Sequence, residues 1–123
     1  MKTYLLSLLL LVMSFVGYSQ NTKVYSTGHH FYNVTSTGVI ELISESNSPT
    51  KFILGDDFIS ITPPNGEVHV YTLIASERGG NDYQGVVYYT EQGIRINIYR
   101  DANGDYKIMV YQKDGHSYLI YDF

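Results

Sequence analysis

Apolar residues from Lys51 onward alternate with polar ones at period two, and Gly, Asn, Asp or Pro interrupts the alternation about every ten residues. Side chains take alternate faces of a strand at that period, whereas a helix needs recurrence every three or four positions. The pattern therefore restricts the chain to an antiparallel all-β domain. Predicted strands cover 23–26, 31–35, 38–45, 51–54, 57–62, 67–77, 84–90, 94–100, 105–112 and 116–122. The breaks carry their own turn chemistry: Gly55-Asp56, Pro63-Pro64-Asn65-Gly66, Gly79-Gly80-Asn81-Asp82, Gln92-Gly93, Asn103-Gly104 and Asp114-Gly115. Links this short bring sequence neighbours together in space. They predict an antiparallel meander of roughly seven to ten strands and leave no room for a parallel crossover. A chain of this size buries one core, and a small barrel or a sandwich is the economical way to enclose it.

The first residues stand apart from this pattern. Lys2 supplies a positive start, Leu5 to Val16 is apolar except for Ser7 and Ser14, and Gly17-Tyr18-Ser19 places small residues where a signal peptidase cuts. Residues 1–19 read as a cleaved secretory signal peptide, and 20–123 as a single antiparallel β-domain beginning at Gln20. The run is shorter than the roughly 20 apolar residues of a spanning helix, so membrane insertion is not expected and the destination is secreted or periplasmic. The chain carries 8 Lys+Arg against 12 Asp+Glu, a net charge of -4. That balance offers no basic stripe for a phosphate backbone and sets nucleic acid aside as a partner. With 0 Cys there is no disulfide, thiolate nucleophile or Cys-ligated zinc, and no acylated lipoprotein cysteine. Tyrosine is the outlier at 13 copies, a residue type that strands favour.

The C-terminal half is regular enough to set strand registers. A three-residue loop through Gly104 places Ile98 opposite Ile108 and Ile96 opposite Val110, matching aliphatic to aliphatic, where a slip by one would turn a whole strand inside out. The same loop at Glu91-Gln92-Gly93 pairs Tyr88 with Ile96 and Tyr89 with Arg95. A two-residue turn at Asp114-Gly115 puts Leu119 and Tyr121 beside Val110 and Ile108, and sets Asp122 opposite Lys107. The predicted core face is then Val86, Tyr88, Ile94, Ile96, Ile98, Ile108, Val110, Leu119 and Tyr121. Its reverse carries Tyr89, Arg95, Tyr111 and Tyr118 in one row across four strands, beside Val87, Asn97, Met109 and Ile120. Aromatic faces stack on sugars or partner side chains, and an adjacent Arg adds cation–π and hydrogen-bonding capacity, so this row is the candidate binding site. The structural alternative is that tyrosines simply cover their neighbours on a half-buried sheet.

Catalytic and metal-binding patterns are thin. Adjacent histidines on a strand point to opposite faces, so His29-His30 is poor chelating geometry, and the spacing of His69 and His116 matches no zinc pattern. Asp101-x-Asn103-x-Asp105 opens like a calcium loop, but Tyr106 and Gln112 stand where that loop requires Gly and Glu, so a hairpin turn accounts for it better. Asp56-Asp57 diverge along an extended chain rather than flanking a glycosidic bond. No catalytic residue, metal ligand or cofactor is assigned.

The sequence closes on Ser117-Tyr118-Leu119-Ile120-Tyr121-Asp122-Phe123, an amphipathic strand with a terminal aromatic. It resembles the C-terminal assembly signal of bacterial outer-membrane β-barrel proteins, which implies an outer-membrane-associated β-protein. Eight spanning strands of about 9 to 11 residues would use most of the mature chain before any loop, and several predicted strands are far shorter. The reading that fits most of the residues is a secreted, non-catalytic binding or adhesion module contacting a glycan, peptide or partner protein through its tyrosine-rich face. A small carrier resembling a lipocalin-like barrel, with the aliphatic face lining a cavity of about 300 Å3 or more, is the alternative. A small hydrolase ranks below both and needs His69 or His116 beside a carboxylate in a cleft.

Overall fold

The computed structural model describes residues 21–79 and 85–123. The protein is all-β: ten antiparallel strands form one sheet curled into a half-barrel, with no helix among the described residues. The strands are β1 (Thr22–Tyr25), β2 (Gly28–Val34), β3 (Ile40–Ser46), β4 (Lys51–Leu54), β5 (Phe58–Thr62), β6 (His69–Arg78), β7 (Gly85–Thr90), β8 (Arg95–Arg100), β9 (Tyr106–Tyr111) and β10 (Ser117–Asp122). Every one overlaps a predicted strand. The expected signal segment 1–19, and the Gly80-Asn81-Asp82 part of one predicted turn, lie outside the described residues.

From β4 to β10 each strand pairs with the next, as a meander should. The first three strands depart from it. Tyr25 faces Lys51 and His29 faces Ser46, so 22–34 and 40–54 run as one long hairpin that bends at Ser26-Thr27 on one arm and at 47–50 on the other. At the bend the hairpin divides its allegiance: β4 pairs with β5, while β2 pairs with β10. Ser26 N donates to Thr50 O at 3.0 Å, Thr27 N to Asp122 O at 2.8 Å, and Thr50 N to Ser26 Oγ at 2.9 Å, which stitch the corner. The two ends of the meander are thereby tied through a shared hairpin, and β1 and β3 become the edges of the sheet. A second corner lies in β6, whose first half pairs with β5 and second half with β7. The register shifts between Leu73 and Ala75, a bulge that bends the strand and leaves Ile74 exposed.

Three connections share one design. In 35–39, 90–94 and 101–105 the first residue donates its N–H to the fifth carbonyl, a glycine sits fourth with positive φ, and the first side-chain oxygen accepts the fifth N–H. Gly93 at φ 78° and Gly104 at φ 83° occupy a region that a Cβ disfavours. These are the expected three-residue loops, and the registers follow: Ile98 faces Ile108, Ile96 faces Val110 and Tyr88 faces Ile96. Asp101 is a turn former, its Oδ1 accepting from Asn103 N and Asp105 N. At Asp114-Gly115 the expected register is present, with Leu119 opposite Val110 and Asp122 opposite Lys107. The connection is wider than the two residues expected, because Gln112 N closes on Ser117 O around 113–116. Asp114 accounts for the difference: its carboxylate accepts from His116 N, Ser117 N and the Ser117 hydroxyl. The Ser117 hydroxyl foremost, then His116 N–H, holds that carboxyl below its usual range.

The concave side is filled by the predicted aliphatic face meeting Phe52, Leu54, Ile59 and Ile61 from β4 and β5, except that Val86, expected with it, is half-buried outside this cluster. Ile96 and Ile108 are fully buried, and Tyr88 and Leu119 lie half-buried at the margin. Phe52 packs edge-on against Tyr121 at 4.8 Å, joining the β4 end of the curl to β10. Each such aliphatic side chain contributes about 1.5–3 kcal/mol by burial, so the core holds the curl closed. Burial, with Tyr71 nearby, pushes the Tyr121 phenol up to about 12.

Candidate functional site

The two three-residue loops and the Asp114 loop align Tyr89, Arg95, Tyr111 and Tyr118 on the convex face. Tyr89 pairs with Arg95, Tyr118 with Tyr111, and the β8–β9 register brings Arg95 against Tyr111. The Arg95 guanidinium lies 3.9 Å from the Tyr111 ring centroid. Tyr111 leans on Tyr118 at 5.6 Å, and the Tyr89 hydroxyl donates to Glu77 at 3.4 Å. Tyr89, Tyr111 and Tyr118 are half-buried and Arg95 is exposed. The row is longer than the sequence pattern implies. Tyr32 of β2 pairs with Tyr118 and stacks on it at 5.4 Å and 24°, and His30 stacks behind Tyr32 at 6.2 Å. The strand pattern of 28–34 contains Tyr32 with the right parity; what it lacks is any sign that β2 lies beside β10.

This geometry decides what the row offers. Tyr111 has Arg95 on one side and Tyr118 on the other, Tyr118 has Tyr111 and Tyr32, and Tyr32 has Tyr118 and His30. Tyr32 and Tyr118 stack, Arg95 covers a face of Tyr111 and Tyr111 tilts at 43° against Tyr118, so these three rings offer chiefly edges and phenol hydroxyls beside the Arg95 head. Burial foremost, then the neighbouring phenols Tyr111 and Tyr32, raises the Tyr118 pKa. Beside the row, Asn97 lies between Val87 and Met109, and its Oδ1 is buried without a hydrogen-bond partner among the described residues.

A string of charges crosses the same face and meets the row at His30. Glu45 reaches His30 Nε2 at 3.3 Å, Asp122 reaches His30 Nδ1 at 3.3 Å, and Lys107 bridges Asp122 to Asp101. These links tie β3, β2, β10 and β9 to the turn after β8. His30 thus lies between two carboxylates, one near each ring nitrogen. His29 points to the other face, packs on Tyr121 at 5.2 Å, and has its pKa lowered by burial first and by His30 second. His69 lies 3.8 Å from Glu67, and His116 Nδ1 is 2.9 Å from Asn33 Oδ1, so the four histidines do not gather. Among the described residues, no group of three or more His, Asp or Glu side chains is arranged to hold a metal ion. An apolar cleft lined by Leu54, Gly55, Ile59, Leu73, Tyr88 and Ile98 has about 190 Å3 of empty space, open solvent included.

Comparison with protein-family models, with characterised proteins and with solved structures returns no match to this chain.

Proposed function

We propose that the chain is an exported, non-catalytic binding module whose convex tyrosine row engages a peptide or partner protein. The observation that carries this reading is the packed row in which Arg95 lies over Tyr111, Tyr111 tilts against Tyr118 and Tyr118 stacks on Tyr32, which offers hydroxyls and a guanidinium more than open ring faces. Tyr and Arg anchors with polar tips are the groups protein interfaces use most. A glycan would want a free ring face, which supports the peptide or protein partner over the sugar. The cleft at Leu54, Ile59, Leu73, Tyr88 and Ile98 encloses essentially no room for a ligand, so it is not the pocket of roughly 300 Å3 that an apolar-ligand carrier needs. An outward face bearing Arg95, Lys107, Asp122 and Glu45 around an aliphatic interior is the reverse of a lipid-facing barrel.

The test compares the chain with its Arg95→Ala and Tyr118→Ala variants, each first checked for an unchanged melting curve. Glycan arrays and size-fractionated proteins from the medium of the producing cells serve as ligands. The expected result is capture of a protein component that weakens by about tenfold or more in both variants, as loss of a desolvated anchor does. Equal capture by wild type and variants overturns the site, and row-dependent glycan binding overturns the choice of partner. Export itself is read from the intact mass of secreted material, expected to begin at Gln20; a start upstream of Val16 rejects it.

A further inference from the structure

We propose that the Arg95 end of the tyrosine row recognises a carboxylate, so that the segment it engages is an acidic stretch of a partner protein carrying Asp or Glu. This rests on the binding role assigned to the row and adds the chemistry of the partner. Arg95 is exposed, and its side chain forms no ion pair or hydrogen bond among the described residues. Its guanidinium leans on the Tyr111 ring at 3.9 Å, a contact that restrains the head while leaving its N–H fork for an acceptor. Lys113, exposed in the 113–116 loop, passes close to Gly93, where a Cβ would lie 4.0 Å from its Cε. A second cation thus stands beside the start of β8, and it too has no carboxylate partner among the described residues. The hydroxyls of Tyr111 and Tyr118 likewise form no hydrogen bond among them.

The class of ligand follows from this surplus of donors. A guanidinium, an ammonium and two phenols gather at one end of the row, and the acids nearest them are committed or turned elsewhere. The Asp114 carboxylate accepts from His116 N, Ser117 N and the Ser117 hydroxyl. Glu91 is exposed in the 90–94 turn, but its N–H bonds Thr72 O on the β6 side, whereas Lys113 lies on the β9 side. What this end lacks is an acceptor. A carboxylate only accepts, and it takes two N–H groups from one guanidinium at once; a neutral sugar or amide brings donors of its own and leaves both cations unpaired. The far end of the row already shows the pairing, where the Tyr89 hydroxyl donates to Glu77 at 3.4 Å. Because the whole chain carries a net charge of -4, attraction of an acidic segment depends on these local cations and not on the molecule at large.

The test selects short random peptides from a display library on the intact chain. Selected peptides are expected to be enriched in Asp and Glu, and synthetic versions with Gln for Glu to bind about tenfold or more weakly. Arg95→Glu and Lys113→Glu, each checked for an unchanged melting curve, are expected to lose the acidic peptides, and Arg95→Glu to select Lys- and Arg-rich ones instead. If Arg95→Glu fails to fold, Lys113→Glu in its exposed loop decides. Lys23→Glu makes the same change of charge on the edge strand β1, outside the row, and should leave affinity unaltered, which separates local recognition from net charge. Peptides without acidic enrichment whose binding still falls in Tyr118→Ala overturn the carboxylate while the binding role of the row stands. Absence of any row-dependent peptide overturns both. Equal loss in Lys23→Glu, or sedimentation showing self-association that Arg95→Glu abolishes, also overturns the proposal.

Discussion

Ile98 and Tyr111 stand on neighbouring strands and opposite faces, and their substitutions separate core from surface. Ile98 is 2 % exposed among Ile96, Ile108 and Val110, so Ile98→Asp buries an unpaired carboxylate and costs several kcal/mol, on the order of the whole stability of a small domain. Tyr111→Ser gives up the Arg95 and Tyr118 contacts on a face water reaches, for about 1 kcal/mol. Paired thermal melts check this; a Tyr111→Ser melt as early as that of Ile98→Asp contradicts the assignment of faces. Tyr121 adds a pH signature. Below pH 10 the phenol is protonated whether folded or not and its contribution is complete. Between 10 and about 12 the unfolded chain ionises while the folded chain holds its proton, so stability falls by on the order of 2 kcal/mol. Burial raises Tyr71 and Tyr88 in the same sense. Denaturant titrations at successive alkaline pH values should show a shallower decline in Tyr121→Phe than in wild type.

At the scale of the element, one turn design recurs in two settings and so measures what burial adds. Thr90 Oγ1 donates to Ile94 O at 2.6 Å and accepts from Ile94 N at 3.0 Å in a buried turn, while Thr35 makes the equivalent bond to Val39 N in an exposed one. Thr90→Val strands the buried Ile94 N–H, while Ile94 O keeps the Thr90 N–H, and is expected to cost about 1–3 kcal/mol, whereas water replaces the partner in Thr35→Val for well under that. Equal losses in chemical denaturation would show that the turn, and not its burial, carries the effect. The same turns explain why the pairing of β7 to β10 is legible in the amino-acid sequence. A glycine fixed at the fourth position leaves one register that keeps Ile96, Ile98, Ile108 and Val110 together, so local chemistry and core pattern agree. The width of the Asp114 connection is not legible there, because it depends on a carboxylate reaching back to Ser117, which no dipeptide rule encodes. Ring orientation is hidden too: parity puts Tyr111 and Tyr118 on one face but says nothing about whether they stack on each other or stand free.

For the molecule as a whole, pattern locates the strands that precede residue 50 but not their partners. Ser26 and Gly28 mark a break at the bend but not what lies beyond it, and pairing of β2 with β10 joins residues too distant for local pattern to connect. Exchange protection should report the resulting architecture. Amides of β8 and β9, interior strands that carry the most buried side chains, are expected to exchange slowest, and those of Ile40 and Leu42 fastest. Uniform protection across β3 and β9 would contradict an open edge in the isolated chain.

The shared hairpin also orders events in time. Thr27 and Asp122 are 95 positions apart, and β2 finds its partner only when β10 exists. A chain emerging from its N-terminus can build the β2–β3 hairpin and then the meander, strand upon strand, from contacts made at short range. The clasp waits for the longest loop in the molecule to close, which is entropically the costliest and kinetically the slowest step available to it. Until then the strand made among the first and the strand made last both present bare backbone, so the interval before closure is when this sheet is most exposed to the wrong partner.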